Sequence, residues 1–208
     1  MSPDFIINLV NSAPDDVLLM SRRNCHALNV DSIVIRKDQG PYGEQRLTRI
    51  FLAAYDHQLW KNLMPGATYT VGIHDHKYHL NLSMISGSVL HMKYDTHFEH
   101  GGVRLNHFTF EPGNVPGKPV IVRKAPRAVF LTYAEPLKRT EPLHANQLHS
   151  MACQINVSSS WMVEELSTVK QYTNLYTNAE KVEVDGLYEP FHDVDQIRRR
   201  VRNFYGRS

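Results

Sequence analysis

A chain of 208 residues with 42% hydrophobic content is long enough to bury one proper core. Its 23 basic and 21 acidic residues leave a formal charge of only +2, so nothing global selects nucleic acid or an anionic membrane as a partner. Two cysteines, Cys25 and Cys153, exclude a disulfide framework, and no apolar run approaches the roughly 18 residues of a membrane span.

With no apolar h-region behind Met1, these features predict a cytoplasmic protein. Ser2-Pro3-Asp4 reads as a helix start, with Ser2 as cap and Pro3 at the first helical position. A second start follows at Ser12-Ala13-Pro14, and the spacing of Val17, Leu18 and Met20 predicts a helix running on to Leu28, with Arg22 and Arg23 outward. Cys25 and His26 fall late in that helix, where a cysteine beside an apolar stripe is usually a small buried hydrophobe.

From Ser32 the texture changes to short β-type runs. They cover residues 32–36, 47–53, 68–73, 80–85, 88–94, 103–110, 120–123, 128–133 and 150–157, with turn chemistry at 39–43 and 64–66. Many short strands with no helices between them predict a β-sandwich or barrel. After Trp161 the pattern is irregular until Asp193, where Asp193 and Gln196 have capping-box spacing. Val194, Ile197, Val201 and Phe204 then form one apolar stripe, so the last helix is expected to dock on the barrel. Its arginines, Arg198, Arg199, Arg200 and Arg202, read as a solvated face that suits the end of a helix dipole. The expected organisation is an N-terminal helical segment over 1–31, a β-barrel over 32–165 and an extension over 166–208 that ends in the docked helix.

The chemistry concentrates in Val71-Gly-Ile-His-Asp-His-Lys-Tyr-His79, which places His74, His76 and His79 within six positions. Strand side chains at i and i+2 leave one face, so His74 and His76 can reach one point in space as metal ligands. Neutral imidazole suits zinc, iron, copper or nickel, and a mononuclear site needs a further donor. His149 supplies one by alternation. It shares a parity with Met151, Cys153, Ile155 and Val157, while Ser150, Ala152, Gln154 and Asn156 share the other. His144 lies in a turn containing proline and asparagine and has no such assignment, so it stays as the alternative. For the first motif, Tyr69, Val71 and Ile73 have the parity opposite to the histidines. Either the metal face of that strand is small and polar, or the strand bends before Gly72. His79, out of phase with the pair, is expected to orient a ligand or substrate. His91, His97, His100 and His107 read as surface residues, and His107-Phe-Thr109 is half of a paired HxT signature whose second half is absent.

His74-Asp-His76, followed by Asn81 and Gly87 and by a later His149 that opens a strand, resembles the cupin superfamily. In that family's first motif, G(x)5HxH(x)3–4E(x)6G, Asn81 stands at the glutamate. In the second, PxGxxHxxxN, alignment on His149 puts His144 at the proline, Asn146 at the glycine and Cys153 at the asparagine. The resemblance covers residues 45–160 and implies a mainly β fold, a single double-stranded β-helix barrel with metal inside, flanked by N-terminal helices and a C-terminal helix. Ile73-His-Asp-His76 followed by His79, without the motif glutamate, is most similar to the cysteine dioxygenase group. That implies a divalent metal, iron before zinc, nickel or manganese, on His74, His76 and His149, with Arg46 or Arg49 holding a substrate carboxylate. The implied activity is that of a mononuclear non-heme iron dioxygenase, an oxidoreductase acting on a small polar molecule bearing a thiol or a carboxylate. A metal-dependent sugar isomerase or epimerase and a non-catalytic ligand-binding cupin module are the alternatives. The expected partners are a small-molecule substrate and, as an assembly, a homodimer; membrane and nucleic acid are not expected.

Overall fold

The computed structural model describes residues 1–25, 30–41, 43–54, 69–70, 73–96, 102–113, 119–153, 157–182 and 189–206. Helix α1 (Pro3–Ser12) begins as predicted, the Ser2 hydroxyl accepting the Phe5 N–H at 3.2 Å. Helix α2 (Asp15–Leu18) is a single turn, which corrects the expected run to Leu28. Two tertiary bonds overrule the apolar spacing there. The buried Ser21 hydroxyl accepts the Val34 N–H at 2.9 Å, and Arg22 enters a short strand, β1 (Arg22–Arg23), opposite Ser32. Cys25 follows that strand and is buried, as its apolar neighbours imply; burial pushes its thiol up to about 11. His26 lies outside the described residues.

The strands that follow are β2 (Val30–Gln39), β3 (Gln45–Ala53), β4 (Tyr69–Thr70), β5 (Ile73–His74), β6 (Tyr78–Ser86) and β7 (Val89–Asp95). After them come β8 (Val103–Glu111), β9 (Val120–Pro136), β10 (Glu141–Leu143), β11 (Leu148–Cys153), β12 (Ser159–Thr168), β13 (Thr173–Thr177) and β14 (Glu189–Pro190). Helix α3 (Val194–Tyr205) ends the described fold. The two runs expected at 120–123 and 128–133 are one strand, β9, and the register slips between Leu105 and His107 opposite Pro126, where a residue without an N–H is tolerated. The stretch after Trp161 is also more regular than its sequence suggests, because β12 and β13 both join the sheets.

Two seven-stranded antiparallel sheets result, ordered β10-β6-β12-β3-β2-β1-β14 and β4-β11-β5-β13-β8-β9-β7. The second sheet closes on itself, since β7 pairs with β11 as well as with β9. The fold is therefore mainly β and cupin-like, with helices at both ends of the chain, as the resemblance implies. Residues placed beyond 165 as an extension supply β13, which lies between β5 and β8 in the second sheet.

Alternation sorts the cores. On β3, Ile50 and Leu52 face outward into a cluster with Ile6, Val10, Ile197 and Val201, so α1 and α3 cover the outer face of the first sheet. Phe51 and Ala53 face the other way and pack with Leu80, Leu82 and Trp161 of the same sheet and with Val89, Met151 and Cys153 of the second. The second sheet curls around a smaller core of Leu105, Val129, Leu148 and Tyr176, with Ile73 and Tyr94 against it. Gly87, the glycine that closes the cupin-like motif, turns β6 into β7 at φ 77, and a Cβ there would collide with Ser158 O and Ser159. Among the described residues no helix is long and apolar enough to cross a membrane.

Candidate metal centre

Strand β5 pairs with β11 so that His74 stands directly opposite His149, an arrangement that puts two side chains on one face about 5 Å apart at Cβ. His76 lies just past the end of β5, and its N–H donates to Ala145 O at 3.1 Å. The three imidazoles meet: ring centroids are 4.8 Å apart for His74 and His76, 4.7 Å for His74 and His149, and 4.9 Å for His76 and His149. Their ligand atoms all lie within 4.8 Å of one another, and His76 Nε2 is 2.8 Å from His149 Nε2. His149 is buried and the other two are half-buried. Among the described residues this is the one group of histidine, cysteine or carboxylate side chains placed to hold a metal ion.

Ile73 and Asp75 leave the opposite side, while residues 68, 71 and 72, on which the two alternatives for this strand turn, lie outside the described residues. Ile73 packs into the core of the second sheet. Asp75 is buried and clamped there: it accepts the Asn174 N–H at 2.7 Å and the Asn174 side-chain amide at 2.5 Å, and it pairs with the Lys170 ammonium. Asn174 Oδ1 in turn meets His107 Nε2 at 2.9 Å, and the His107 ring stacks on Tyr176 at 4.5 Å. The residue between the two histidines is thus a structural anchor. Asp75→Ala is expected to destabilise the protein by about 3–5 kcal/mol, because it leaves the Lys170 charge buried and unpaired. Urea unfolding measures this, and a loss under about 1 kcal/mol would show that Lys170 simply swings to solvent.

Two histidines expected at the surface are buried. His107 belongs to the Asp75 network, and His91 is 0% exposed behind His149. His97 and His100 lie outside the described residues. His91 Nε2 is 3.0 Å from His149 Nδ1. Its Nδ1 lies 3.2 Å from Glu141 Oε1 in a contact without hydrogen-bond geometry, while Lys93 Nζ holds the same oxygen at 2.6 Å. Burial holds the His91 imidazole below its ordinary pKa against the pull of Glu141. Burial pushes the Glu141 carboxyl up, yet the Lys93 ammonium and the His91 ring beside it win and hold it below the usual carboxylate range.

His79 does not join the three rings. It meets His144 edge-on at 5.3 Å, and its Nδ1 accepts the Ala145 N–H at 3.2 Å, so it braces the residue whose carbonyl holds His76. His144 is exposed and turned to His79. Arg46 is held by Glu44, with Nη2 at 2.6 Å and Nε at 3.2 Å from one carboxylate oxygen. Arg49 donates to Glu165 Oε1 at 2.9 Å and has the parity of Phe51 and Ala53, which places it between the sheets; its Nε has no hydrogen-bond partner. Glu165 is pushed up by burial, against the opposing pull of Arg49. Asn81 alternates with Leu80 and Leu82, which face the core, and so turns away from it. Cys153 is buried beside Met151, and burial pushes its thiol up to about 11.

No family model matches the sequence, and no curated protein matches it. Solved structures give distant similarities. Hydroxypropylphosphonic acid epoxidase from S. wedmorenis is 9% identical with a TM-score of 0.35, over 80% of this chain and 58% of that one. The Fe(II) form of HppE is 9% identical with a TM-score of 0.31, over 66% of this chain and 51% of that one. The polyketide cyclase RemF from Streptomyces resistomycificus is 11% identical with a TM-score of 0.31, over 80% and 83%. This chain spans little more than half the length of the epoxidase chains.

Proposed function

We propose that this chain is a metal-dependent, cupin-type enzyme that holds one divalent ion on His74, His76 and His149, and that the ion is iron in a dioxygenase. The observation that carries the reading is the meeting of three imidazoles from β5, its end and β11, in the places the two cupin-like motifs name. All three rings offer neutral imidazole nitrogen, a donor that suits zinc, iron, copper or nickel alike, and the choice of iron follows the resemblance to the cysteine dioxygenase group. A ferrous ion held by three histidines supplies Lewis acidity and one-electron chemistry, with coordination positions left for small molecules.

The chain's own residues do the rest. Asp75 and its partners align the HxH pair, and His79 supports His76 through the two sides of Ala145. Arg49, rather than Arg46, is the residue proposed to meet a substrate carboxylate, because it lies between the sheets and keeps an unbonded Nε. Two measurements test the reading. Metal analysis of protein purified without an affinity tag should find one iron per chain, and the ferrous protein should consume dioxygen with small thiol or carboxylate substrates. Stoichiometric zinc, nickel or manganese without oxygen uptake would move the assignment to a sugar isomerase or epimerase. A metal-free protein that takes up no metal would leave a ligand-binding module.

A further inference from the structure

The buried polar chain behind His149 has a direction, and the direction selects a tautomer. Glu141 lies against Leu82 in the β10–β6 pairing, and its Oε1 receives the Lys93 ammonium at 2.6 Å. The pair is charge-balanced, so the fully buried His91 beside it has no charge left to neutralise. Nδ1 of His91 stands 3.2 Å from that carboxylate without hydrogen-bond geometry, and a lone pair turned toward the negative charge would be repelled, so Nδ1 is the nitrogen that carries hydrogen. In a neutral imidazole the other nitrogen is then an acceptor, and His91 Nε2 lies 3.0 Å from His149 Nδ1. His149 must donate there, which leaves the lone pair of its Nε2 directed to His76.

We infer that His91 and Glu141 are positioning residues that lock His149 in its Nδ1–H tautomer, so that Nε2 is presented toward His74 and His76. The lock is a property of the polypeptide; its use in ligating metal rests on the reading proposed above. Nothing in the strand pattern requires a histidine at 91 for packing, since Val89 and Met151 on the same face are apolar. Its two nitrogens face two partners with complementary roles, and an ordinary core residue could not do that. Outer partners of this kind set ring orientation and ligand basicity at metal sites, and their loss typically costs 10–100-fold in affinity.

Long-range ¹H–¹⁵N correlation spectra of labelled protein, with His149 assigned by comparison with His149→Ala, read the tautomer directly. Wild type should show the Nδ1–H form of His149 both without metal and with zinc as probe. His91→Phe keeps an apolar ring and removes both nitrogens, and should move zinc-free His149 to the Nε2–H form and weaken zinc binding about 10–100-fold. His91→Gln again offers one acceptor and one donor, and should restore both readouts. An Nε2–H form in wild type, or an unchanged tautomer in His91→Phe, overturns the proposal. Failure of His91→Gln to restore them overturns it too, because His91 would then act by shape alone. If His91→Phe does not fold, His91→Gln against wild type decides, with a retained Nδ1–H form in support and Nε2–H against. A wild type that holds the Nδ1–H form but takes up no zinc supports the lock and removes the metal reading.

Discussion

His149→Ala is expected to purify essentially free of metal and to take up none under conditions that saturate wild type, whereas His144→Ala keeps its metal. The expectation follows from where the two rings sit. His149 stands opposite His74, with its ring 4.7 Å from His74 and 4.9 Å from His76, so its loss removes one of three donors. The two that remain are close in sequence and anchored from behind by Asp75, which preserves their alignment but cannot replace the missing nitrogen. His144 is exposed and touches only His79 among the imidazoles of the described residues. Elemental analysis of untagged protein, with a chelator titration to rank affinities, reads both variants. A metal-free His144→Ala beside a loaded His149→Ala would sink the assignment, and with it the register of the second cupin-like motif.

Much of this site was legible in the chain, because it rests on local periodicity. The i, i+2 spacing of His74 and His76 survives folding, with Ile73 and Asp75 turned the other way. His149 shares a face with Met151 and Cys153, as its alternation implies. The partners that hold these residues were not legible, since each is set by the register of distant strands. Asp75 is held by Lys170 and Asn174, 95 and 99 positions away, and Arg49 by Glu165, 116 positions away. His91 was misread for a physical reason. In Val89 to Tyr94 the apolar Leu90, Met92 and Tyr94 alternate with Val89, His91 and Lys93, so binary patterning turns His91 outward. The observed register does the reverse, pairing Met151 with His91 and His149 with Lys93, and a polar row can lie inward there because its members bond one another. The helix over 15–28 failed in the same way: β1 pairs with β2 and β14, whose positions no local pattern announces.

Deleting residues 193–208 is expected to abolish the cooperative melt, a larger effect than any single substitution in the metal centre should have. The helix begins as its capping box predicts: Asp193 accepts the Gln196 N–H at 2.6 Å, and the Gln196 side chain reaches back to the His192 N–H at 2.9 Å. Its stripe then covers the outer face of the first sheet, with Ile197 0%, Val201 1%, Phe204 9% and Tyr205 6% exposed in one cluster with Ile33, Ile50 and Leu52. At about 1.5–3 kcal/mol for each large side chain, such burial is worth on the order of 6–12 kcal/mol, comparable with the ~5–15 kcal/mol that holds a typical domain folded. The arginines expected to be solvated add structure as well. Arg198 pairs with Asp15 at 2.8 Å and Arg200 with the buried Asp31 at 2.5 Å, while the Tyr205 hydroxyl donates to Ser160 Oγ at 2.9 Å. Removal therefore exposes Ile50 and Leu52 and takes the Arg200 partner from Asp31 in one step. Ile197→Ala provides the graded version, at about 2–5 kcal/mol, or a fall of roughly 10 °C in Tm by scanning fluorimetry. A truncated chain that melts at the wild-type temperature would show that the outer face of the first sheet is stable without its helix, and would open a binding role for Arg198, Arg199, Arg200 and Arg202.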